Sequence, residues 1–171
     1  MLYLLDANVL IDANRDYYPI ERVPEFWEWL IHMGLGGHIK IPEEVYEEIT
    51  SGGRKDDPLK QWAKKPETKA ALLLDEDVDP RLVAQVVNEG YANDLTDVDV
   101  EKIGRDPFMV AYGLIDPHNR IIVTTEVSKP SAQRANRHLP DVCHQFGLRS
   151  CNTYMLIRAL NFNTRRTSNR G

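Results

Sequence analysis

The chain has 171 residues, of which 42% are apolar and 27% charged, with a formal net charge of −5. This is the size and composition of one folded domain, and it excludes a disordered chain, a collagen-like repeat and a disulfide-rich miniprotein. No apolar run approaches the roughly 18 residues of a membrane span, the N-terminal stretch lacks a basic flank and is broken by Asp6, unlike a signal peptide, and two cysteines, Cys143 and Cys151, fit a reduced cytoplasmic protein.

In chain order, Tyr3-Leu4-Leu5 reads as a short strand ending at Asp6, with a helix beginning at Ala7. Pro24 opens a helix whose apolar stripe is Phe26, Trp27, Leu30 and Ile31, stopped by Gly34 and Gly36. Gly34-Leu35-Gly36-Gly37 lacks the Lys and Ser/Thr of a phosphate loop. His38–Ile41 reads as a strand, and Pro42 opens a helix with Val45, Tyr46 and Ile49 inward. The spacing predicts one helix around Lys60–Lys64, a strand at Ala71–Leu74, a helix from Asp79-Pro80 to Gly90, and then an acidic loop. Asp106-Pro107 opens a helix that is apolar on nearly every side and so predicted to be buried. The β-branched run Arg120–Thr125 reads as a buried parallel strand and Leu148–Cys151 as another, with Thr153 capping a last helix that carries Met155, Leu156, Ala159 and Leu160. Alternating strands and helices predict an α/β fold with a parallel sheet covered on both faces, whose ligands bind beyond the carboxyl ends of the strands.

The net charge conceals an asymmetry. Residues 1–110 hold 12 Lys/Arg against 23 Asp/Glu, whereas residues 111–171 hold 9 against 3. The average argues against a nucleic-acid partner, but the distribution is compatible with one: an acidic body for a cation and a basic last third for a phosphate backbone. The acids of that basic third are Asp116, Glu126 and Asp141.

Four acids are predicted to share the carboxyl edge of the sheet or to reach it. Asp6 follows the first strand, Glu126 follows Ile121-Ile122-Val123-Thr124-Thr125, and Asp106 begins the buried helix. Glu48 borders the apolar stripe of its helix, whereas Glu44 and Glu47 are predicted to point further into solvent. Carboxylates in one cleft raise each other's pKa or demand a cation, and a hard ion such as Mg²⁺ or Mn²⁺ suits an all-oxygen set. Singly, each acid also has a purely structural reading. For Asp106 that reading is an N-cap, because Asp before a Pro at the first helical position is a favourable helix start, and with four Asp-Pro pairs, at Asp57, Asp79, Asp106 and Asp116, the dipeptide alone carries little weight.

Taken in order, the motifs resemble those of the PIN-domain nucleases, the family that includes VapC-type toxins. The resemblance rests on Leu4-Leu5-Asp6-Ala7-Asn8-Val9-Leu10-Ile11, on Ile41-Pro42-Glu43-Glu44-Val45-Tyr46-Glu47-Glu48-Ile49, on Asp106-Pro107-Phe108-Met109-Val110-Ala111-Tyr112 and on Ile121–Glu126. It covers nearly the whole chain except residues 54–100. Glu126 stands where most members carry Asp, and Leu139-Pro140-Asp141-Val142-Cys143 is similar to a segment of a PIN-like subfamily, which makes Asp141 a further candidate acid. The resemblance implies a three-layer α/β/α sandwich, with residues 1–160 as the domain and 161–171 as a basic tail. It implies a Mg²⁺- or Mn²⁺-dependent endoribonuclease, often a homodimer, held by a cognate antitoxin in the cytoplasm. Asp6, Glu48, Asp106 and Glu126 would hold the cation, Asn8 would orient a ligand or water, and Lys129, Arg134, Arg165 and Arg166 are the basic candidates for RNA.

Two other functions compete: a PIN-like module that binds RNA or protein without catalysis, permitted by Glu126, and a Mg²⁺-dependent phosphatase of the haloacid-dehalogenase type, against which Asn8 stands where a second Asp is wanted. His138, Cys143, His144 and Cys151 match no standard zinc spacing. Trp27 is predicted to be core, Trp29 and Trp62 are candidates for a partner surface, and Tyr17-Tyr18-Pro19 is a loop that either packs or lines the site.

Overall fold

A computed structural model describes residues 1–52, 54 and 56–164. The strands are β1 (Leu2–Leu5), β2 (Ile39–Lys40), β3 (Arg120–Val123) and β4 (Arg149–Cys151), all parallel, in the order β2-β1-β3-β4. Register pairs Tyr3 with Ile39, Leu5 with Val123, and Val123 with Cys151. Leu4, Leu5, Ile39, Ile122 and Val123 are buried, as near-continuous apolar runs in a parallel sheet should be. From β1 the chain moves to one side of the sheet, and from β3 it moves to the other. The switch point therefore lies between the carboxyl ends of β1 and β3, where α/β sheets offer a crevice.

Ten α-helices are described: α1 (Ala7–Asp12), α2 (Pro24–Leu35), α3 (Glu43–Ser51), α4 (Pro58–Ala63), α5 (Pro66–Leu72), α6 (Pro80–Gln85), α7 (Asp97–Ile103), α8 (Asp106–Ile115), α9 (Leu139–Gln145) and α10 (Thr153–Ala159). Single π-helical stretches extend α1 over Ala13–Tyr17 and α6 over Val86–Tyr91. Proline at the first or second helical position starts α2, α4, α5, α6, α8 and α9, where its missing N–H loses no hydrogen bond. The helices flank the sheet as the outer layers of an α/β/α sandwich, with α2 against α5 and β2, α3 against α4 and α1, and α8 against β3, α6 and α9.

The contact between α2 and α5 depends on Gly34. A β-carbon built there meets the Ala71 carbonyl oxygen at 2.6 Å and Leu72 Cδ2 at 2.7 Å. Backbone cannot swing aside, so Gly34→Ala is expected to destabilise the fold by about 1–3 kcal/mol despite its better helix propensity. Urea unfolding should show a lower midpoint at unchanged slope, and a raised midpoint would refute the close approach.

Several local expectations are overturned. The strand at Ala71–Leu74 is instead helix α5 as far as Leu72, and only Leu73 makes a bridge, to Ile41. Pro66 starts that helix, and Ala71 and Leu72 are buried against α2. The acidic loop contains α7, because the Thr96 side chain accepts from the Asp99 amide while the Asp99 carboxylate accepts from the Thr96 amide, a reciprocal cap. Asn152 rather than Thr153 caps α10, and of its four predicted apolar residues only Leu156 is buried. Trp27 is core as expected, but so is Trp62, whose ring stands edge-on to it at 4.7 Å. Trp29 is half-buried against Phe26 and Phe162, so neither candidate tryptophan forms a free surface.

Candidate functional site

Asp6 is the first residue beyond β1 and is buried, 7% exposed. It occupies the cap position of α1, but its side chain makes no capping hydrogen bond. The Thr124 hydroxyl, just beyond β3, donates to Asp6 Oδ2 at 2.9 Å, and the same hydroxyl accepts from the Glu126 amide at 3.2 Å. Thr124 thereby ties the ends of the two central strands together.

Asp106 is the first residue of α8, whose cap position is taken by Arg105, so Asp106 does not stand at the cap. This separates it from two other Asp-Pro pairs. Asp57 caps α4 through the Leu59 and Lys60 amides, and Asp79 caps α6 through the Arg81 amide. The capping role expected of Asp106 is therefore absent. Its carboxyl turns instead toward the sheet edge, where the Tyr91 hydroxyl donates to Oδ2 at 3.3 Å. Glu126 Oε2 accepts from the Leu139 amide at 2.8 Å, which seats it against the start of α9.

These carboxylates feel one another. Burial pushes the Asp6 carboxyl up to about 6, with Glu126 and Glu48 adding to the rise and Thr124 opposing it. Burial pushes Asp106 up to about 8, reinforced by Asp6, Glu126 and Glu48. Among the described residues, no Lys or Arg forms an ion pair with any of the four. Glu48 is exposed on α3 yet within electrostatic reach of both aspartates. Glu44 is half-buried, not solvent-directed as expected, with its Oε2 enclosed and unpartnered beside α8.

The other predicted residues stand apart. Asn8 is exposed on α1, and its side chain has no hydrogen-bond partner among the described residues. The Asp141 carboxylate accepts from the Ser128 hydroxyl and, at 2.7 Å, from the Lys129 amide. Partial burial acts to raise it, but those two bonds together with His138 and Arg137 hold it below the usual carboxylate range. It pins the loop after β3. Lys129 is exposed, and Arg134 is held by Asp94 at 2.6 Å. Arg120 is buried on Glu76, so the basic third is partly neutralised by acids of the body. Arg165 and Arg166 lie outside the described residues.

Sequence reasoning missed Thr124 and Tyr91 as partners of the acids. A threonine at the end of a β-branched strand was a usable signal for the first, whereas Tyr91 lies in a stretch without any motif.

The four side chains are all carboxyls, an all-oxygen set that would suit a hard divalent cation rather than zinc or copper. Asp6, Asp106, Glu126 and Glu48 are the residues that would hold it. Among the described residues, no group of three or more His, Cys, Asp or Glu already stands placed to hold a metal ion.

A family model described as "Domain of unknown function (DUF4411)" matches residues 3–164. No curated protein and no solved structure matches the chain.

Proposed function

For this chain, which belongs to the DUF4411 family, we propose a PIN-like, Mg²⁺- or Mn²⁺-dependent endoribonuclease. One observation supports the reading: two largely buried aspartates at the carboxyl edge of the sheet lie within electrostatic reach of Glu126, beyond β3, and of Glu48 on α3, with no cationic partner among the described residues. Several carboxylates away from the site are capped or paired, as Asp57, Asp79 and Asp94 are. Buried charge left uncompensated lowers stability, so its presence calls for a ligand that repays it.

In this reading Asp6, Asp106 and Glu126 hold the cation and Glu48 closes the set from the exposed side. Thr124 and Tyr91 fix the orientation of the two aspartates. A cation held there would supply Lewis acidity for water activation and for charge on the phosphoryl group. The proposal extends to the cellular role implied by the motifs: a cytoplasmic toxin, homodimeric and restrained by an antitoxin.

The test is cleavage of a labelled RNA with Mn²⁺ or Mg²⁺. Asp6→Asn is expected to lower the rate at least about a hundredfold at unchanged fold, since even second-sphere partners of metal sites affect activity by 10–100-fold. Full activity in this variant would sink the site.

A second reading draws on Glu126, whose Oε2 is already engaged by the Leu139 amide. In it the chain is a PIN-like binding module without catalysis. Titration calorimetry decides between the two: absence of Mn²⁺ binding at millimolar concentrations would favour the module.

A further inference from the structure

The π-helical stretch Val86–Tyr91 ends on the tyrosine whose hydroxyl donates to Asp106. Carbonyls in the last turn of a helix have no partner within it, so that end frays unless outside donors reach them. Two side chains do so here. Gln145 Nε2, on α9, donates to the Glu89 carbonyl at 2.8 Å, and Arg137 Nη1 donates to the Gly90 carbonyl. The same Arg137 Nη1 donates to Gln145 Oε1, and Arg137 Nη2 donates to the Asp141 carbonyl of α9 at 3.2 Å. One guanidinium therefore ties the turn that carries Tyr91 to α9.

The backbone closes on the same contact. A β-carbon built at Gly90 meets Val142 Cγ1 at 2.9 Å and Phe146 Cε2 at 3.0 Å, so this turn lies directly against α9 and the residue after it. The first residue of α9 is Leu139, whose amide donates to Glu126. Asp106 and Glu126 are thus seated on two elements that Arg137 joins. Arg137 is half-buried, and the three oxygens it donates to are neutral. Among the described residues it forms no ion pair. A rigid fork with several donors suits acceptors that lie in different directions, which a single ammonium serves less well.

We propose that Arg137 is a positioning residue of the carboxylate site: it holds Tyr91 against α9, and through Tyr91 it sets where the Asp106 carboxyl stands for a divalent cation. The inference rests on the reading of the four acids as cation ligands. It carries a sign that charge alone would reverse. A guanidinium repels a cation, so its loss without any change of position would tighten cation binding. Loss of positioning weakens it.

The test is the Kd for Mn²⁺, read without RNA from the free-ion signal in electron paramagnetic resonance. Arg137→Met keeps most of the aliphatic stem and removes the fork. It is expected to raise the Kd about tenfold, the lower end of the effect of partners one step removed from a metal. Arg137→Lys keeps the charge and some donors, and its Kd should fall between the two. In a Tyr91→Phe background, which cuts the link to Asp106, Arg137→Met should change the Kd by less than about twofold, because the two residues act in series. Arg120→Met, at the opposite end of the sheet, should keep the wild-type Kd. Gln145→Leu, at an exposed position, removes the second donor to the same turn and should raise the Kd in the same direction. An unchanged or lower Kd in Arg137→Met overturns the proposal, as does the same result in Gln145→Leu should Arg137→Met fail to fold. A tenfold rise that persists in the Tyr91→Phe background, or an equal rise in Arg120→Met, also overturns it. No Mn²⁺ binding by the wild type removes the cation site and the proposal with it. Mn²⁺ binding that needs Asp6 and is indifferent to Arg137 removes the proposal and leaves the site.

Discussion

Asp106→Asn is expected to stabilise the protein in EDTA at alkaline pH and to remove its response to Mn²⁺. The reason is the raised carboxyl. Asp106 is pushed from 3.8 to about 8 by burial and by Asp6, Glu126 and Glu48, and Asp6 is pushed from 3.8 to about 6. An acid whose pKa is higher in the folded state binds more protons there than in the unfolded chain. Its stabilising contribution is complete below about pH 4 and is lost as pH rises through the folded-state values. Metal-free wild type should therefore lose about 3–5 kcal/mol between pH 4 and pH 9 from Asp106 alone, because each tenfold change in proton affinity is worth about 1.4 kcal/mol.

Asparagine cannot ionise, and it keeps an oxygen for the Tyr91 hydroxyl. The variant should show a flatter profile and exceed the wild type by about 2–4 kcal/mol near pH 8.5 in EDTA. With Mn²⁺ at a hundred times its Kd, the wild type should recover about 2.7 kcal/mol, and the variant should recover far less. Urea unfolding at several pH values with EDTA or Mn²⁺ measures both effects. A variant less stable than the wild type at pH 8.5 in EDTA would mean that the carboxylate serves the fold.

The second large effect lies at the opposite end of the sheet. Arg120 opens β3, is 7% exposed, and spends its guanidinium on the Tyr112 carbonyl at 2.9 Å and on both Glu76 oxygens at 2.8 and 2.7 Å. The Tyr112 hydroxyl also reaches the Glu76 carbonyl at 3.2 Å, so one fork joins α8, β3 and the segment before α6. Arg120→Ala would leave a cavity and an unpaired buried carbonyl, with an expected loss of about 3–4 kcal/mol. Glu76 is 37% exposed and can return to water, so no stranded charge adds to that figure. Arg120→Met refills the volume and should lose only about 1–2 kcal/mol. Equal losses in the two variants would assign the whole effect to the hydrogen bonds. RNA cleavage per folded molecule should be unchanged in both.

The legible parts of the fold carried signals within a few residues of themselves. β1 is an apolar run followed directly by Asp6, β3 is one followed by Glu126 three residues past its end, and Pro24, Pro80 and Pro107 mark their helices directly. The region from 54 to 105 was harder because its decisive partners are distant in sequence. Ala71–Leu74 reads as a strand from its apolar run, and what makes Ala71-Leu72 helical is burial against α2, which approaches through Gly34. Trp62 sits among lysines in the sequence, yet its ring lies against Trp27. The acids at the strand ends could be found because a parallel sheet fixes where its carboxyl edge lies. Glu44 could not, because its enclosure comes from α8, and a helical stripe says which face is buried but not what reaches over its border.

The tethers on the acids bear on ion choice. Thr124 holds one oxygen of Asp6, Tyr91 one of Asp106, and the Leu139 amide one of Glu126. A carboxylate with one oxygen engaged in a hydrogen bond presents its other oxygen more freely, which would favour a one-oxygen contact over a chelating one. Calcium takes six to eight oxygens and commonly grips carboxylates by both, whereas magnesium takes six at shorter range and keeps much of its own water. If these carboxylates hold a cation, three such donors would favour an ion of low coordination number, and calcium would be the poorer fit.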